Sequence, residues 1–342
     1  AMRQAVFTAD CWRSLAVIVA GTLVLLLFKA GKLKQTWMVG TLTMLCLVDM
    51  WAVNKRYLND DMFVEASVKE APVPMTDADR EILQDKALDY RVLNLASNTF
   101  NENETSYYHK SIGGYHPAKL RRYQEMIDAY IAPEMRKLMP AIAESMGDMT
   151  KVNGDSVWPV LNMLNTKYFI VPLQGGQTVP IQNPYTYGNA WMVDKITYVD
   201  NANAELARVG KIDLRHEAVA DKRFKAVLGD SKKQDGESIV KLTSYAPNRL
   251  TYDVSTTKGG VIVFAENYYP GWTALVDGKE VEIGRVNYVL RAISVTAGRH
   301  KVELSFFPKT VNTTEYIAYA AYVVILLAIL LLVFLYFRKK ES

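Results

Sequence analysis

YIAYAAYVVILLAILLLVFLYF, residues 316–337, places this chain in a membrane, because these 22 consecutive residues carry no charge. An α-helix rises 1.5 Å per residue, so this stretch spans roughly 33 Å and can cross a hydrocarbon core of about 30 Å. Arg338-Lys339-Lys340 follow at once, and a basic cluster beside a membrane span favours the cytoplasmic side. The stretch therefore predicts a transmembrane helix, with a buried helix of a large soluble domain as the alternative.

Two further apolar segments near the N-terminus extend this prediction. They cover about residues 12–28 and 37–53, and the loop between them holds Lys29, Lys32 and Lys34. Short lysine-rich loops stay in the cytoplasm, so both basic clusters fall on the same side of the membrane. This topology predicts that residue 1 and the large central region lie on the other side.

An N-terminus outside the cytoplasm is unusual without a signal peptide, and the chain shows no basic segment followed by a cleavage site. We therefore expect the chain to be the C-terminal portion of a longer polytopic membrane protein. Its expected partners are the lipid bilayer and the N-terminal transmembrane part of the same full-length protein.

Composition excludes some other classes of protein. Half of the residues are apolar and the net charge is only +4, with no basic run of the kind that binds nucleic acid, so no nucleic-acid partner is expected. Cys11 and Cys46 lie in or beside membrane segments, and they offer neither a disulfide framework nor metal-ligand spacing.

Hydrophobic patterning predicts an α+β membrane protein with three transmembrane helices and an extracytoplasmic region. The four predicted parts are residues 1–54 with two membrane helices, residues 55–190 with mixed α/β structure, residues 191–314 with an antiparallel β-sandwich, and residues 315–342 with a membrane helix and a basic cytoplasmic tail. About seven short alternating runs between Ile239 and Phe307 indicate the sandwich. Asp277-Gly278 predicts a hairpin between two of them, because glycine accepts the positive φ of the turn.

The sequence pattern of residues 55–190, the mixed region, predicts several helices and strands. The helices are expected over Asp77–Leu88 with Thr76 as cap, Pro117–Met139 with an interruption at Pro133, and Val157–Leu164; the strands over Tyr90–Ala96 and Tyr168–Pro172; and a loop over Pro180–Gly188.

The segment 107–116, YYHKSIGGYH, is the densest group of polar and aromatic residues. Glycines permit close backbone approach, tyrosines offer ring faces and hydroxyls, and lysine with histidine could meet an anionic group such as phosphate. The substrate-binding candidates here are Tyr107, Tyr108, His109, Lys110, Ser111, Tyr115 and His116. A packed loop whose tyrosines seal the domain against the membrane is the alternative.

Arg121 and Arg122 follow on a predicted helix and could hold phosphate at the membrane surface, although a solvated helix face is the commoner explanation. A metal site at His109 and His116 is not favoured, because Gly113-Gly114 interrupts the helix that would align them and no carboxylate accompanies them. No metal site is predicted in this chain.

Two further candidates lie elsewhere. Asp49 is a carboxylate inside a membrane segment, where a charge is costly and by default suggests function; snorkelling or pairing with another helix is the alternative. Trp272 ends the run Tyr268-Tyr269-Pro270-Gly271-Trp272, which could form a platform for a sugar ring or could be sandwich core.

Four separated motifs carry a resemblance to a known family. They are SIGGYHPAKLRRYQ at residues 111–124, LNMLNTKYFI at residues 161–170, GNAW at residues 188–191 and YYPGWTALVDG at residues 268–278. In this order they resemble the C-terminal third of the YfhO family of bacterial polytopic membrane proteins, in a version similar to those of Bacteroides-type bacteria.

The YfhO family in turn is similar to the GT-C glycosyltransferases. The resemblance implies a bacterial inner (cytoplasmic) membrane protein with its large domain on the periplasmic side. It implies transfer of a sugar from a polyprenyl-phosphate carrier to a cell-envelope glycan acceptor, with this piece helping acceptor or lipid-phosphate recognition. The alternative is a non-catalytic, membrane-anchored module that binds glycan or protein.

The resemblance assigns no catalytic residue to this chain. The catalytic acidic residue of GT-C enzymes lies in the first outer loop, which we expect in the N-terminal part of the full-length protein. No cofactor is assigned, and a divalent metal in the full-length protein is left open.

Overall fold

The computed structural model describes residues 2–63, 65–70, 72–230 and 238–341. The chain forms two compact units, residues 1–74 and residues 75–342. The helices are α1 (Met2–Lys29), α2 (Gln35–Tyr57), α3 (Ala66–Glu70), α4 (Asp77–Ile82), α5 (Thr105–Tyr108), α6 (Arg121–Met126), α7 (Ala132–Glu144), α8 (Gly154–Val157), α9 (Pro159–Met163), α10 (Ala202–Val209), α11 (Lys225–Leu228) and α12 (Lys309–Glu341). The strands are β1 (Arg91–Asn94), β2 (Thr166–Pro172), β3 (Thr178–Gln182), β4 (Ala190–Val193), β5 (Lys195–Val199), β6 (Glu217–Asp221), β7 (Ile239–Ala246), β8 (Arg249–Thr256), β9 (Gly260–Asn267), β10 (Trp272–Val276), β11 (Lys279–Val281), β12 (Gly284–Val286), β13 (Leu290–Val295) and β14 (Gly298–Phe306).

Among the described residues, three helices are long and apolar enough to cross a membrane. These spans are Gln4–Lys29, Gln35–Met62 and Lys309–Arg338, and none of their apolar windows is buried inside the protein. A helix whose apolar side chains are exposed all round needs a lipid environment. The three membrane helices predicted from the sequence are therefore confirmed.

The mixed region is built on a three-stranded sheet in the order β1-β2-β3. β1 runs parallel to β2, and β3 returns antiparallel to it. Trp158 and Phe169 are fully buried in the core beside this sheet, with their rings edge to face at 6.0 Å.

Several predicted boundaries in this region need correction. The helix that Thr76 caps ends at Ile82, because Leu83–Asp85 form a turn. The long helix starts at Arg121 instead of Pro117, and a π-helical segment, Ile127–Ile131, precedes Pro133. The predicted 157–164 helix is broken at Trp158 into α8 and α9. Pro180 lies in edge strand β3 and not in a loop; an edge strand tolerates the missing N–H of proline.

A parallel pair that the sequence did not predict joins the two halves of this unit. β5 pairs with β6 in parallel, and α10 connects them. Parallel strands need such a crossover, whose length hides the pairing from local patterns. α10 places the carboxylate of Glu205, which is fully buried, on the inner side of the helix.

Two antiparallel sheets form the predicted sandwich. The first has five strands in the order β11-β10-β14-β8-β7, and the second has four in the order β12-β13-β9-β4. Both contribute side chains to one core that includes Tyr252, Phe264, Ile293 and Leu304. The alternate residues of β9, such as Val263, face a second core shared with the mixed region. Both faces of β9 are thus covered, which explains its unbroken run of apolar residues.

The hairpin predicted at Asp277-Gly278 is confirmed. It joins β10 to β11, and both turn residues have positive φ, 50° for Asp277 and 79° for Gly278. The α+β fold with three membrane helices is as predicted, while the four-part division of the chain stays a prediction.

Candidate functional site

The predicted loop at residues 107–116 is held by internal contacts. The Nε2 atom of His109 lies 2.9 Å from Oδ1 of Asp79, and the histidine side chain is only 1% exposed. Asp79 also caps α4 through Thr76. Gly113 has no room for a side chain, because an added Cβ would lie 1.9 Å from the carbonyl oxygen of Thr99. The loop is therefore a rigid, packed element.

Lys110 uses its charge inside the domain. Its ammonium group forms an ion pair with the buried carboxylate of Asp89, and it lies over the ring of Tyr245 at 3.1 Å from the ring centroid. A cation between a carboxylate and an aromatic face is already well satisfied. Lys110 thus ties β7 of the sandwich to the mixed region.

The remaining residues of the loop point in several directions. Tyr107 and Tyr115 are exposed at 53% and 58%, and His116 is also exposed. Nδ1 of His116 accepts a hydrogen bond from the backbone N–H of Ala118, and Oγ of Ser111 accepts one from Gly113. Tyr108 packs edge to face on Tyr107, with ring centroids 5.0 Å apart. These contacts do not test the predicted role, and none of the loop residues lines the groove described next.

A groove with aromatic and arginine side chains lies around the run 268–272, and we call it the aromatic–arginine groove. It consists of two cavities, about 430 Å³ and about 220 Å³ in volume, that share Tyr268, Tyr269 and Pro270. The larger cavity also reaches Trp272 and Arg291, and the smaller one reaches Arg122. The first volume lies within the range of about 300–1,000 Å³ of small-molecule sites.

The run 268–272 is attached directly to the start of membrane helix α12. The backbone N–H of Phe307 donates to the carbonyl oxygen of Gly271 at 3.0 Å. Gly271 has a φ of 99°, and an added Cβ would lie 3.3 Å from Pro308. Glycine is needed here for its positive φ and for this close approach. The loop therefore stays next to the point where the chain enters the membrane.

A strained turn contributes Tyr288 to the lining of the smaller cavity. Asn287 and Tyr288, between β12 and β13, both have positive φ, 48° and 71°. Such a backbone is uncommon for tyrosine and costs about 1–3 kcal/mol, so other contacts must hold it. The carbonyl oxygen of Val219 accepts the N–H of Asn287 at 2.7 Å, and Glu205 accepts the N–H of Tyr288 at 3.2 Å.

Five arginines line the groove, and two carboxylates hold three of them. Glu205 accepts a hydrogen bond from Arg285 at 3.0 Å and lies 3.6 Å from Arg122. Glu266 lies 3.4 Å from Arg291 and also pairs with Arg91 at 3.0 Å. The other two arginines of the groove, Arg223 and Arg121, are largely exposed; Arg223 lies 3.8 Å from Asp221.

Aromatic rings cover the guanidinium groups. Arg291 lies over the ring of Trp272 at 3.9 Å, and Arg122 lies over the ring of Tyr288 at 4.4 Å. Arg285 lies 5.9 Å from the ring of Tyr268. A guanidinium group stacks readily on aromatic faces while its edge remains able to donate hydrogen bonds. The arrangement suits ligands that combine an anionic group with an apolar face.

Burial shifts the pKa of the groups at the groove. Burial lowers the pKa of Arg291 and of Arg122, and Arg285 lowers the pKa of Arg122 further by repulsion. Burial raises the pKa of Glu205, although Arg285 opposes this shift. Arginine stays charged in proteins regardless, so the groove keeps its positive groups at neutral pH.

The other candidates fall in two different places. Arg121 is 91% exposed and pairs with Glu125 at 2.9 Å, one helical turn away. Asp49 lies in the N-terminal unit, where Nε of Arg13 on α1 lies 3.1 Å from its Oδ1. A neighbouring helix thus supplies the counter-charge that a carboxylate in a membrane segment needs. Trp272 and Arg121 both line the groove, whereas Asp49 does not.

Sequence reasoning missed Arg285, Arg291 and Glu205. A signal was present, because both arginines interrupt the strands of an otherwise apolar stretch, residues 283–295. Charged residues are almost never fully buried unless paired, so an arginine inside a buried strand indicates a partner or a ligand. Within the described ranges, no group of three or more His, Cys, Asp or Glu residues could hold a metal ion.

The fold and its three apolar helices define an integral membrane protein with a large α+β domain. Residues 213–318 match the model of the family described as bacterial membrane protein YfhO, which confirms the family recognised in the sequence. No curated protein and no solved structure matches the chain. The matched range contains every residue that lines the larger cavity.

Proposed function

We propose that this chain is part of a membrane glycosyltransferase-like protein. The full-length protein would transfer a sugar from a polyprenyl-phosphate carrier to a cell-envelope glycan acceptor. This piece would help to recognise the lipid phosphate or the acceptor, through the aromatic–arginine groove. The catalytic acidic residue would belong to the N-terminal transmembrane part.

The observation that carries the proposal is the combination of aromatic faces and guanidinium groups in one groove. Trp272 and Tyr269 line the same cavity as Arg291. Aromatic rings can pack against the apolar face of a sugar. Arginine is favoured at sites that bind phosphate or carboxylate, because its planar guanidinium group can donate two parallel hydrogen bonds to such a group. A sugar phosphate presents both features to such a site.

The distance of the groove from the membrane supports recognition of a lipid-linked group. Gly271 contacts Pro308, and the charge-free part of α12 begins at Tyr316. Eight helical residues rise roughly 12 Å, and the headgroup layer adds about 5–8 Å on each side of the hydrocarbon core, so the groove would lie a few ångströms outside the headgroup layer. A sugar linked to a lipid phosphate would extend from the headgroup layer toward this level.

The finer localisation belongs to the proposal as well. We infer a bacterial inner membrane, with the domain on the periplasmic side, from the basic residues at both cytoplasmic ends of the predicted spans. A GT-C-like enzyme uses its lipid carrier on that side. In this arrangement the exposed Tyr107, Tyr115 and His116 are proposed acceptor contacts, while the buried His109 and the partly exposed Lys110 hold the loop in place.

Envelope glycolipids and polysaccharides from cells with and without the full-length protein test the proposal. Tyr269→Ala in the full-length protein should reduce the transferred sugar at unchanged protein level, because Tyr269 lines both cavities and is 48% exposed. Leu173→Ala is a matched control, since Leu173 has the same exposure and lies outside the groove. An envelope that does not change when the protein is deleted would refute the function.

One observation favours the non-catalytic alternative. Glu205 and Glu266, the carboxylates at the buried side of the groove, form ion pairs with arginines. Neither carboxylate is therefore free to act as a general acid or base. A module that binds glycan without transferring it would show the same pattern. Retention of glycan by the full-length protein, together with unchanged envelope polysaccharides, would favour this alternative.

A further inference from the structure

Arg285 and Arg291 form an unusual pair in the sheet below the groove. They lie directly opposite each other on the antiparallel strands β12 and β13. Both residues are buried, with exposures of 5% and 2%. Like charges directly opposite on a sheet are destabilising, and burial removes the water that would screen them. Such a pair persists only if nearby groups compensate it.

The protein compensates this charge incompletely. Glu205 faces Arg285 and Arg122, while Glu266 faces Arg291 and Arg91. Two more carboxylates lie near this group, but each has its own cation: Asp89 pairs with Lys110, and Glu125 pairs with Arg121. The four guanidinium groups therefore share two carboxylates, which leaves two excess positive charges at the buried side of the groove. A ligand that carries negative charge would complete the balance.

Several N–H groups of these arginines also have no hydrogen-bond partner among the described residues. They belong to Nε and Nη1 of Arg291, Nε of Arg285 and Nη1 of Arg122. Buried donors are nearly always paired in proteins, so each unpaired one needs an explanation. Arg291 leaves two donors, Nε and Nη1, on different edges of one guanidinium group, so each could donate a charge-assisted hydrogen bond to an anionic ligand.

The larger cavity lies beside these donors. Arg291 lines it from the protein side, and the exposed Glu280 and Glu282 line it from the solvent side. Tyr269 and Trp272 line the wall between them. The glutamates can accept hydrogen bonds from sugar hydroxyls, and the exposed Arg223, which also lines this cavity, can donate to them. The charges thus orient a ligand with its anionic end inward and its hydroxyls outward.

We propose that the larger cavity binds a saccharide that carries a carboxylate or phosphate, with this anionic group on the guanidinium of Arg291. The sugar ring packs against the aromatic wall, and its hydroxyls face the two glutamates. The proposal deepens the proposed function, because it names the class of sugar that the groove recognises. It is independent of whether transfer takes place.

Binding measurements on the purified full-length protein in detergent micelles test the proposal. The probes are glucuronate, glucose 1-phosphate, inorganic phosphate and glucose, each titrated by calorimetry. At least one anionic sugar should bind about 10-fold to 100-fold more tightly than glucose, the range expected for a hydrogen bond to a charged group. The two anionic sugars distinguish a carboxylate ligand from a phosphate ligand. Equal affinity for glucose and for both anionic sugars would overturn the proposal, as would binding of inorganic phosphate as tight as that of the tighter-binding anionic sugar.

Arg291→Lys is the decisive variant, because lysine keeps the charge but loses the planar fork. We expect the preference for the anionic sugar over glucose to fall about 10-fold, whereas Arg299→Lys, at an exposed arginine outside both cavities, should keep it. A purely structural arginine would change stability without changing this preference, and that outcome would overturn the proposal. If Arg291→Lys does not fold, the four-probe comparison on the unmodified protein decides alone.

Failure here is distinguishable from failure of the proposed function. Absence of anionic-sugar binding together with altered envelope glycolipids on deletion would remove only the ligand assignment. Anionic-sugar binding with an unchanged envelope would support the ligand assignment and remove the transfer.

Discussion

Replacing Glu205 with glutamine should destabilise the domain strongly. The carboxylate is fully buried, it accepts hydrogen bonds from Arg285 and from the backbone of Tyr288, and it lies 3.6 Å from Arg122. Glutamine keeps one acceptor but removes the charge that offsets two guanidinium groups. Breaking a buried ion pair in this way costs about 3–5 kcal/mol.

The expected shift in the midpoint of thermal unfolding follows from this cost. For domains of about 150–250 residues, each kcal/mol lowers the Tm by roughly 2–4 °C, so Glu205→Gln should lower it by roughly 6–20 °C. Circular dichroism of the protein in detergent micelles would follow the domain. Glu303→Gln is the control, because Glu303 pairs with Lys301 on the surface, where ion pairs contribute little.

A double variant separates lost charge balance from lost packing. Arg285→Met in the Glu205→Gln background removes one of the uncompensated charges, so part of the lost stability should return. A Tm for Glu205→Gln close to that of Glu303→Gln would refute the charge balance derived for the groove. A double variant less stable than Glu205→Gln alone would also contradict it.

Three further predictions concern other parts of the domain. Gly113→Ala should lower the Tm by much more than Gly278→Ala, because its Cβ would collide with a backbone carbonyl at 1.9 Å, whereas Gly278 has open space and loses only about 1 kcal/mol for its positive φ. Burial raises the pKa of Glu134 from 4.5 to about 8, so the folded state holds a proton that the unfolded state releases. Stability should therefore fall as the pH rises from about 4.5 through 8, and Glu134→Gln should flatten this dependence in urea unfolding; a steeper dependence would contradict it. Asp49→Asn should weaken the pairing of α1 and α2, measured as a lower yield of cross-linking between cysteines placed at that interface. Glu65→Gln, outside the span Gln35–Met62, should not change this yield.

Features that depend on neighbouring residues could be predicted from the sequence. The membrane helices need only an unbroken apolar run, and the hairpin at Asp277-Gly278 needs only two residues that tolerate positive φ. The cap at Thr76 is likewise local, because its partner Asp79 is three residues away. In each case the physical cause lies within a few positions along the chain.

The groove could be predicted only in part, because its contacts join distant segments. Trp272 was identified by its aromatic neighbours, and Arg122 by its basic ones. The pairing of Arg285 with Arg291 depends on strand register, and Glu205 reaches Arg285 across 80 positions of sequence. The parallel pairing of β5 with β6 was missed for the same reason. In the sequence, the only sign of such long-range contacts is an arginine within an apolar strand.

Binding of a polyprenyl-phosphate sugar to the full-length protein in lipid nanodiscs tests the central claim most directly. We expect the unmodified protein and Leu173→Ala to retain the labelled carrier in the presence of excess phospholipid. Tyr269→Ala should retain at least about 5-fold less, because stacking of a ring on an aromatic side chain contributes about 1 kcal/mol at the lower end of its range. Equal retention by both variants, or retention no better than that of ordinary phospholipid, would contradict the account.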